Sequence, residues 1–422
     1  MRMLDIKQFL DAPDMVAQNA KRRGFELDPS VAVSLHQERL KLVDAVQALR
    51  TRANEIASSI PSASGEERQG LIDEGKQVKE QVKEQETTLK DVESRLEAEL
   101  LKYPNMLRED VPVGADATGN EIVEVVGEPT TFTFEPKDHM QLAETLDLID
   151  MERAAKISGA RFAFLKGDLV LMQFALLQYA FTELVKEGFT PILPPHIIST
   201  EAMGAMGYLQ HGGEEEVYHL RNDDAVLIGT AEQSIGPMHM DEILDASSFP
   251  IRYVGYSPCY RREAGSYGKD TKGIFRVHQF SKIEMFSFTS EEASDEEHAF
   301  LLKMQRRLWD GLKLPYRVMK LCSGDTGAPS ARTYDIETWF PSYGDYRETH
   351  STSNTTDYQT RRLKTRYKTS EGKTEFAHAL NGTAFSMNRP LIAIMENFQQ
   401  EDGSIIVPEV LRTWMGKDVI KK

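Results

Sequence analysis

The sequence contains only two cysteines, Cys259 and Cys322, among 422 residues. Neither lies in a CxxC or CxxH spacing. Two cysteines cannot form a disulfide framework, and a structural zinc site needs closely spaced ligands that this chain lacks. We therefore expect a reducing, cytoplasmic environment.

Long apolar runs are also scarce. No stretch of about 18 apolar residues, the length needed to cross a bilayer, is evident in the sequence. No basic segment followed by an apolar one opens the chain, so we expect neither a signal peptide nor a membrane partner. The GxxxxGK[ST] loop and a GxGxxG sequence after a strand are absent too, so neither common nucleotide-binding fold is indicated.

Basic residues are fewer than acidic ones: the sequence has 50 Lys and Arg and 66 Asp and Glu, which gives a formal net charge of −16. This balance argues against non-specific coating of nucleic acid. Cations are nevertheless concentrated between residues 259 and 288, where a single carboxylate, Glu284, follows them in an apolar run. These cations are Arg261, Arg262, Lys269, Lys272, Arg276, His278 and Lys282. The cluster predicts a local anion-binding surface.

Two stripes of apolar residues at heptad spacing occupy residues 31–60 and 71–96, separated by the break PSASGEERQG. Pro61 and Gly65 in this break are expected to stop a helix. The two stripes predict an antiparallel helical hairpin, roughly 45–50 Å long at 1.5 Å per residue. Such a hairpin is either an oligomerisation coiled coil or an arm that grips an elongated partner, and its mixed charges leave both open.

Beyond residue 110, short strands alternate with helices. We predict strands in EIVEVVGEP, TFTF, YVGYSPCYR, ARTYDIETWF and PLIAIMENF. We predict helices in QLAETLDLIDMERAAKISG, DLVLMQFALLQYAFTELVKEG and EEHAFLLKMQRRLWDGL. Because the order lacks a regular βαβ alternation, it indicates an α+β fold around an antiparallel sheet.

The cationic segment predicts a β-hairpin, with strands YSPCYRRE and FRVHQFSKIEMFSF joined by the loop AGSYGKDTKG. A period of two places Arg276, His278, Phe280, Lys282 and Glu284 on one face of the second strand. Such a face suits a nucleotide beside a small polar substrate, because an aromatic ring stacks a base and guanidinium groups hold phosphate. The alternative is a solvated hairpin with a satisfied Glu–Lys pair.

The sequence YRRE, followed by a charged loop and RVHQFSKIE, resembles motif 2 of class II aminoacyl-tRNA synthetases, and EAGSYGKDTKG with HQF is similar to the seryl-tRNA synthetase family. Other segments resemble that family in the same order along the chain. They are MLDIKQFLDAPDMVAQNAKRRG, the helical hairpin, GARFAFLKGDLVLMQFALLQYA with GFTPILPPHII, LIGTAEQSIGPMHMDEIL, and LNGTAFSMNRPLIAIMENFQQEDGSIIVPEVLRTWM. The resemblance implies a class II antiparallel sheet flanked by helices in residues 109–422. Residues 1–108 would form a tRNA-binding domain whose coiled-coil arm spans about 31–100.

The resemblance also implies a function. The enzyme would activate L-serine with ATP to seryl-adenylate and transfer the seryl group to the 3′ end of tRNA(Ser), with tRNA(Sec) as a further acceptor to test. It would be a homodimer, would use ATP as substrate and Mg²⁺ as cofactor, and would bind tRNA through the arm. Both reactants of the first step are anions, so the protein must neutralise charge and place them in line.

The resemblance assigns site residues by position. Serine binding falls to Thr230, Ala231, Glu232, Arg261, Glu284, Asn381 and Thr383. ATP binding falls to Arg261, Arg262, Glu263, Arg276, Val277, Phe280, Glu348, Thr349, His350, Ser351 and Arg389, and the metal to Glu348 and Ser351. The catalytic residues would be Arg261 between the α-phosphate and the serine carboxylate, Glu263 at the adenine amino group, and Arg389 across the adenine from Phe280. Glu284 would accept from the serine hydroxyl, which discriminates against alanine.

Two places depart from the family pattern. Thr349 and His350 stand where the family more usually has a small apolar residue and a serine. We interpret His350 as a polar filler beside the site, because no second histidine clusters with it to bind metal. Asn388 stands where glycine is common, and we expect it to adopt a positive φ in a tight turn before Arg389.

Three alternative functions fit parts of the sequence: a synthetase-like ligase that loads a carrier protein, a relative specialised for another small amino acid, and a non-catalytic coiled-coil scaffold. The intact hairpin argues against the first. The joint presence of Arg261, Glu263, Glu284, Glu348 and Arg389 argues against the last.

Overall fold

The structure is a computed structural model that describes residues 4–264 and 272–422. It divides into two units, one ending at Pro104 and the other comprising Asn105–Lys422. The sequence places the boundary slightly later, between residues 108 and 109. Asn105 and Arg108 belong to the second unit because their amides donate to the carbonyls of Ala328 and Ala331, both at 2.9 Å. Lys269 and the predicted tip of the cationic hairpin lie outside the described residues.

The first unit contains helices α1 (Ile6–Asp11), α2 (Pro13–Arg22), α3 (Pro29–Ser59) and α4 (Gly65–Leu100). Asp28 caps α3 by accepting from the amide of Ser30 at 2.9 Å, and Pro29 occupies the first turn, where its missing amide costs nothing. Helix α4 begins at Gly65, with Glu66 and Glu67 in its first turn, where carboxylates are favourable. The break between the helices is therefore shorter than PSASGEERQG predicts.

Helices α3 and α4 form the predicted antiparallel hairpin. Its buried seam consists of Leu35, Val46, Ile56, Val78, Val92 and Leu96. Ion pairs join Arg39 to Glu93, Arg50 to Glu86 and Arg52 to Glu74. The later a residue lies in α3, the earlier its partner lies in α4, which fixes the antiparallel direction. The hairpin is held by a narrow apolar stripe, and most of its surface is exposed.

The second unit has the predicted mixture of strands and helices. Its helices are α5 (His139–Leu146), α6 (Met151–Ser158), α7 (Asp168–Lys186), α8 (Thr200–Ala205), α9 (Glu232–Ile235), α10 (Ser294–Leu312), α11 (Tyr358–Leu363), α12 (Asn388–Asn397) and α13 (Arg412–Met415). Its strands are β1 (Glu121–Val126), β2 (Ile149–Asp150), β3 (Phe164–Leu165), β4 (Thr190–Ile192), β5 (Ile197–Ser199), β6 (Tyr218–His219), β7 (Ala225–Leu227), β8 (Ile243–Asp245), β9 (Ile251–Tyr260), β10 (Gln279–Thr289), β11 (Tyr316–Lys320), β12 (Arg332–Phe340), β13 (Asp345–Thr356), β14 (Arg366–Lys368), β15 (Thr374–Phe376), β16 (His378–Ser386), β17 (Ile405–Ile406) and β18 (Val419–Ile420).

An eight-stranded sheet in the order β1-β11-β12-β13-β16-β10-β9-β4 organises this unit. Its ladders are antiparallel except the last, where β4 pairs with β9 in parallel. This confirms the α+β fold around an antiparallel sheet. Helices α7, α10 and α12 pack against the sheet, and their apolar side chains, among them Leu176, Trp309 and Ile392, are fully buried there. The other face of the central strands carries polar side chains.

Three predicted elements differ from the structure. TFTF, residues 131–134, forms no strand. PLIAIMENF is part of helix α12, where Leu391, Ile392 and Ile394 are all fully buried. An apolar run that is buried on every side carries no periodicity to separate helix from strand. The long helix predicted over residues 141–158 is interrupted at Asp147, which adopts a φ of 53°, and resumes as α6.

Helix α7 is long and apolar enough, by length and composition, to cross a membrane. Gln173, Gln178 and Glu183 interrupt its apolar residues, so it is not an uninterrupted apolar run of about 18 residues. Leu169, Met172 and Leu176 on one side of the helix are fully buried, as in the core helix of a folded domain. Leu171 and Phe174 on another side are 48% and 52% exposed. The composition of α7 thus reflects two apolar surfaces, of which one packs on the sheet.

Candidate active site

Two adjoining cavities, of about 160 Å³ and about 740 Å³, lie over the polar face of the sheet. Both are lined by Arg261, Glu263, Arg276, Lys282, Glu348, Ser351, Thr383 and Arg389. Val277, Phe280, Thr349 and His350 line only the smaller cavity, and Thr230, Glu232, Glu284 and Asn381 only the larger one. The structure therefore brings together every predicted site residue except two. The side chain of Arg262 is exposed and that of Ala231 is fully buried, and neither lines a cavity.

The two strands of the cationic β-hairpin are shorter than the sequence predicts. β9 ends at Tyr260 and β10 begins at Gln279, so Arg261 and Arg276 lie in the segments just beyond the ladder. The amide of Arg261 donates to the carbonyl of His278 at 3.0 Å, and His278 Nδ1 donates to the carbonyl of Arg261 at 3.0 Å. These bonds keep the two segments side by side, so the cations still converge although the strand alternation stops.

The guanidinium groups at the cavity border have defined partners. Arg276 Nη1 lies 2.7 Å from Glu263 Oε2, and Arg261 Nε donates to the carbonyl of Gly229 at 3.2 Å. The guanidinium carbon of Arg261 lies 5.4 Å from the centre of the Phe280 ring, within cation–π range. Arg261 therefore stands where the two cavities meet, beside an aromatic ring on β10.

Buried polar side chains converge around Glu284 in the larger cavity. Glu284 is 1% exposed, and its Oε2 lies 2.5 Å from Lys282 Nζ and accepts from the Thr383 hydroxyl at 3.3 Å. Lys282 Nζ also donates to Thr230 Oγ1 at 3.2 Å. Burial raises the pKa of Glu284, although the neighbouring ammonium of Lys282 opposes that rise. The result is an enclosed carboxylate oriented to accept a hydrogen bond from a small hydroxyl-bearing ligand.

A second carboxylate, Glu232, stands at the start of α9 in the same cavity. Its Oε1 accepts from Asn381 Nδ2 at 3.0 Å and from Gln359 Nε2 at 3.2 Å. Thr230 Oγ1 accepts from the amide of Glu232 at 3.3 Å, so Thr230 also supports the start of this helix. The cavity therefore presents two separated carboxylates and one arginine, a set complementary to an amino group, a hydroxyl and a carboxylate.

Glu348 and Ser351 line the same cavities although they are three residues apart, a spacing that places side chains on opposite faces of a regular strand. A β-bulge in β13 resolves this conflict. Glu348 pairs with Glu337 and His350 pairs with Ile336, so Thr349 is the extra residue. The bulge reverses the alternation, and it returns both the carboxylate and the hydroxyl to the ligand face.

His350 points into the core, where it is 1% exposed and its ring centre lies 4.3 Å from that of Trp309. Its Nε2 donates to the carbonyl of Ala384 at 2.7 Å, and its Nδ1 lies 3.0 Å from Thr349 Oγ1. Ala384 is itself the extra residue of a second bulge, in β16 opposite β10. Burial lowers the pKa of His350 to about 3, so the ring is neutral. Both ring nitrogens have protein partners, and the imidazole joins two adjacent bulges.

The residues expected to hold a metal ion fit a hard cation. Glu348 and Ser351 offer carboxylate and hydroxyl oxygens, which Mg²⁺ prefers. Asp335 lies opposite Ser351 on β12 and lines the larger cavity, and its Oδ1 is buried without a hydrogen-bond partner among the described residues. Burial, followed by the charge of Glu348, raises the pKa of Asp335 well above its ordinary value. A divalent cation would relieve this concentration of negative charge. No group of three or more His, Cys, Asp or Glu residues suited to a metal occurs in the described part of the chain.

Asn388 does not adopt the positive φ that the sequence suggested. It is the first residue of α12, and its side-chain amide donates to the carbonyl of Ile274 at 3.0 Å. Arg389 follows in the first turn of the helix, where its Nη1 donates to the carbonyl of Glu348 at 2.6 Å and lies 3.2 Å from Glu348 Oε1. Its guanidinium carbon is 5.0 Å from the centre of the Phe275 ring. A helix start, rather than a turn, presents Arg389 to the smaller cavity.

Sequence reasoning assigned no role to several residues that line the cavities. They are Tyr208, Glu216, Phe275 and Asp335. Lys282 lines both cavities, and the sequence already places it on the same face as Phe280 and Glu284 by strand alternation. Tyr208 and Glu216 reach the cavity from a distant loop, and no local pattern indicates that contact.

Comparisons with known proteins cover the whole chain. The family model for the seryl-tRNA synthetase N-terminal domain matches residues 3–107, and the model for the class II tRNA synthetase core domain (G, H, P, S and T) matches residues 217–398. The chain is 43% identical to a serine–tRNA ligase of Treponema denticola over 421 residues, 99% of this chain and 100% of the relative. It is 43% identical to a serine–tRNA ligase of Corynebacterium efficiens over 425 residues, 99% of each.

Solved structures agree with these relatives. The crystal structure of seryl-tRNA synthetase from Pyrococcus horikoshii complexed with ATP matches with a TM-score of 0.92 and 35% identity over 99% of each chain. Cytoplasmic serine–tRNA ligase from Naegleria fowleri in complex with AMP matches with a TM-score of 0.87 and 31% identity, over 100% of this chain and 99% of the other. A prolyl-tRNA synthetase of Giardia lamblia, at 15% identity and a TM-score of 0.57, shares the fold over 67% of this chain.

Proposed function

The chain belongs to the seryl-tRNA synthetase family, and we propose that it activates L-serine with ATP and then transfers the seryl group to the 3′ end of tRNA(Ser). The observation that carries this proposal is that a cavity with an aromatic ring and arginines adjoins a cavity with two buried carboxylates, with Arg261 at their border. Neither the ligase that loads a carrier protein nor the coiled-coil scaffold is favoured by these relatives.

In the first step a serine carboxylate oxygen attacks the α-phosphorus of ATP and pyrophosphate leaves. Two anions must approach each other, so placement and charge neutralisation lower the barrier more than proton transfer does. Arg261 would contact both the α-phosphate and the serine carboxylate, because its planar fork can serve two oxygens at once. Arg276 would contact the outer phosphates.

The smaller cavity would hold the adenine. Phe280 would stack against one face of the base and Arg389 would cover the other, as a π–cation sandwich. Glu263 would accept from the adenine amino group, and the backbone of Val277 would meet the edge of the base. Arg262, whose side chain is exposed, would act only at the entrance to the site.

Glu348 and Ser351, with Asp335 nearby, would hold Mg²⁺, which would supply positive charge to offset that of the phosphates. Thr349 and His350 would support this site from behind, since their side chains hold the bulge that turns Glu348 and Ser351 to the ligand face. Arg389 would fix the position of Glu348, because its guanidinium contacts both the carbonyl and the carboxylate of that residue.

Serine selection would depend on Glu284 and Thr383 at the hydroxyl, on Glu232, Asn381 and the backbone of Ala231 at the amino group, and on Thr230 through Lys282. A buried site that hydrogen-bonds a hydroxyl rejects the analogue that lacks it by roughly 10⁴, since its polar groups are then left unpaired. Alanine should therefore be refused strongly.

ATP–pyrophosphate exchange tests this assignment directly. The purified chain, given serine, threonine, alanine or glycine, should show exchange with serine far above the other three. Exchange driven best by another amino acid would contradict serine as the substrate. A parallel assay with tRNA(Ser), tRNA(Sec) and an acyl-carrier protein should show seryl transfer to tRNA, and transfer to the carrier alone would favour the ligase alternative.

The hairpin α3–α4 would bind the tRNA. Lys79, Lys83 and Lys90 are exposed along α4, where they can reach phosphates. Binding through such contacts weakens steeply with salt. The slope of log affinity against log salt concentration, measured for tRNA(Ser), should fall when these three lysines are changed to glutamine.

We also propose a homodimer. Leu171 and Phe174 on α7 and Leu193 just after β4 are 48%, 52% and 78% exposed, which is unusual for a group of large apolar side chains. Pairing two copies through this surface would cover them. Light scattering should give twice the chain mass, and Phe174→Glu should shift it toward the monomer. The expected cytoplasmic location stays a prediction.

A further inference from the structure

One acidic residue in a loop far from motif 2 holds the turn that follows β9. Gly213–Glu216 is a short 3₁₀ helix between α8 and β6. The carbonyl of Glu216 accepts from the amide of Arg262 at 2.9 Å. Its Oε2 accepts from the amide of Glu263 at 2.8 Å, and its Oε1 accepts from the amide of Ala264 at 2.9 Å. Three successive amides of the turn are thus bound by one residue.

This grip coincides with unusual backbone geometry. Glu263 has a φ of 53°, in the left-handed region that residues other than glycine seldom adopt. Such conformations persist where surrounding structure over-determines them. Because both carboxylate oxygens of Glu216 are used on adjacent amides, they fix the direction of the turn. The carboxylate of Glu263 then reaches Arg276, at 2.7 Å, on the border of both cavities.

The loop that carries Glu216 also forms a wall of the amino-acid cavity. Tyr208, Gly213 and Val217 from this loop line the larger cavity, together with Glu216 itself. Tyr208, Gly213 and Val217 of this loop therefore border the amino-acid cavity. Glu216 of the same loop binds the turn at Arg262–Ala264, which faces the nucleotide. Its neighbours Glu214 and Glu215, in the same 3₁₀ helix, are exposed.

We propose that Glu216 is a positioning residue for ATP: it holds the turn at Arg262–Ala264 so that Glu263 and Arg276 face the nucleotide, and it ties that turn to the wall of the amino-acid cavity. The inference deepens the proposed function and rests on it. Glu216 acts through Glu263, so its loss should weaken nucleotide binding while serine recognition at Glu284 and Glu232 is retained.

The test compares Glu216→Gln and Glu216→Ala with the matched control Glu215→Gln, all in the full chain. Pyrophosphate exchange is measured with ATP varied at saturating serine and with serine varied at saturating ATP. A lost charge-assisted hydrogen-bond pair should raise the KM for ATP roughly tenfold or more in both Glu216 variants. The serine KM should change less than about threefold, and the control should match the parent.

Calorimetry can measure the binding of a non-hydrolysable ATP analogue to each variant directly. This measurement gives the same comparison without requiring enzymatic activity. It should show the same loss in the Glu216 variants. If the parent chain failed to exchange with serine, the proposed function would fail, whereas this binding comparison would still decide the role of Glu216.

A double variant, Glu216→Ala with Glu263→Ala, separates positioning from general support of the loop. If Glu216 acts through Glu263, the double variant should bind ATP no more than about twofold worse than Glu263→Ala alone. Fully additive losses would overturn the inference. So would an unchanged ATP KM, or equal rises in the ATP and serine KM accompanied by a lower melting temperature.

Discussion

The helical arm and the catalytic sheet solve opposite problems. In the arm, a single seam of buried aliphatic residues holds two long helices together, and the ion pairs that cross it are exposed. In the sheet, the carboxylate of Glu284 and the ring of His350 are almost completely buried and held by specific partners. The exposed surface of the arm should thus tolerate substitution. The buried polar side chains of the sheet should not, because each is held by specific partners.

The energies differ accordingly. Exposed ion pairs such as Arg50–Glu86 contribute about 0–1 kcal/mol each. Removing one partner of a buried pair such as Lys282–Glu284 leaves an uncompensated charge, at a cost of about 3–5 kcal/mol. Substitutions in the arm should therefore affect tRNA affinity, and substitutions in the sheet should affect chemistry, selectivity or folding.

The largest expected effect is that of Arg261→Ala on the catalytic side. With the guanidinium at the border of the two cavities gone, the repulsion between the reacting anions is no longer offset, and the rate of serine-dependent pyrophosphate exchange should fall by roughly 10³. Arg50→Ala in the arm is the matched arginine control and should leave exchange unchanged. Retention of more than a tenth of the parent rate in Arg261→Ala would remove Arg261 from the mechanism.

Shortening the arm sharpens the comparison from the other side. Replacing residues 44–88 with a short Gly-Ser linker keeps the Arg39–Glu93 pair and removes the distal hairpin. The efficiency of tRNA charging should fall roughly 100-fold, the scale of losing several phosphate contacts, while pyrophosphate exchange stays within about twofold. Charging that survives the deletion would show that the arm is a spacer rather than the tRNA grip.

Glu284→Gln should weaken serine recognition with little effect on ATP. The amide keeps the shape but replaces one acceptor oxygen with a donor beside Lys282, so the serine KM should rise roughly 10- to 100-fold. Burial raises the pKa of Glu284. As the pH is lowered, the unsubstituted chain should therefore begin to lose serine affinity at a higher pH than it would if this glutamate were exposed. The variant should lack that pH limb, and an identical pH profile in both chains would exclude Glu284 as its source.

Acid should unfold the catalytic unit before the arm. Burial lowers the pKa of His298 and His378 to about 4 and that of His350 to about 3. Below about pH 6.5 the unfolded chain takes up protons that the folded chain refuses, so stability falls by about 1.4 kcal/mol per pH unit and per histidine until the folded pKa is reached.

Trp309, Trp339 and Trp414 are the three tryptophans, and all belong to the second unit. Their fluorescence can therefore follow acid unfolding of that unit while circular dichroism follows total helix. The fluorescence transition should come at higher pH, and His350→Gln should make it shallower. The exposed His219→Gln is the control, and equal slopes in both variants would count against buried histidines as the cause.

The smallest effect belongs to the surface of the arm. Arg50→Ala should lower the free energy of unfolding by less than about 1 kcal/mol, because both partners of its pair with Glu86 are exposed. Val46→Ala in the buried seam should cost distinctly more, since it removes buried methyl groups. Urea titrations of the two variants give both values, and a larger loss in Arg50→Ala would reverse the account of how the arm is held.

The comparison also separates what sequence could predict from what it could not. The arm follows from heptad spacing because one periodicity governs both of its helices, as the packing of side chains in any coiled coil requires. The faces of Phe280, Lys282 and Glu284 follow from strand alternation because β10 is regular there. The motif resemblance named residues from several distant segments that the structure brings to the two cavities, because it carries the register of those segments at once.

The failures share a physical cause, which is that tertiary contacts override local pattern. PLIAIMENF is buried on all sides and gave no helical stripe. Arg276 and His278 lie outside β10, because the pairing of β9 with β10 stops before the turn at Glu263. Asn388 needed no positive φ because a helix begins there. The contact between Glu216 and the motif 2 turn joins segments that are far apart in the sequence, and no local pattern encodes it.

The extra residue at Thr349 has a consequence for anyone who would move this site elsewhere. This extra residue shifts the alternation of side chains by one position. Each side chain that precedes it in β13 therefore lies on the opposite face of the sheet from the one it would occupy in an uninterrupted strand. Deleting Thr349 would therefore do more than remove a hydroxyl, since it would turn Glu348 toward the hydrophobic layer. A designer grafting the carboxylate and hydroxyl pair onto a regular strand would have to space them by two or four, never by three.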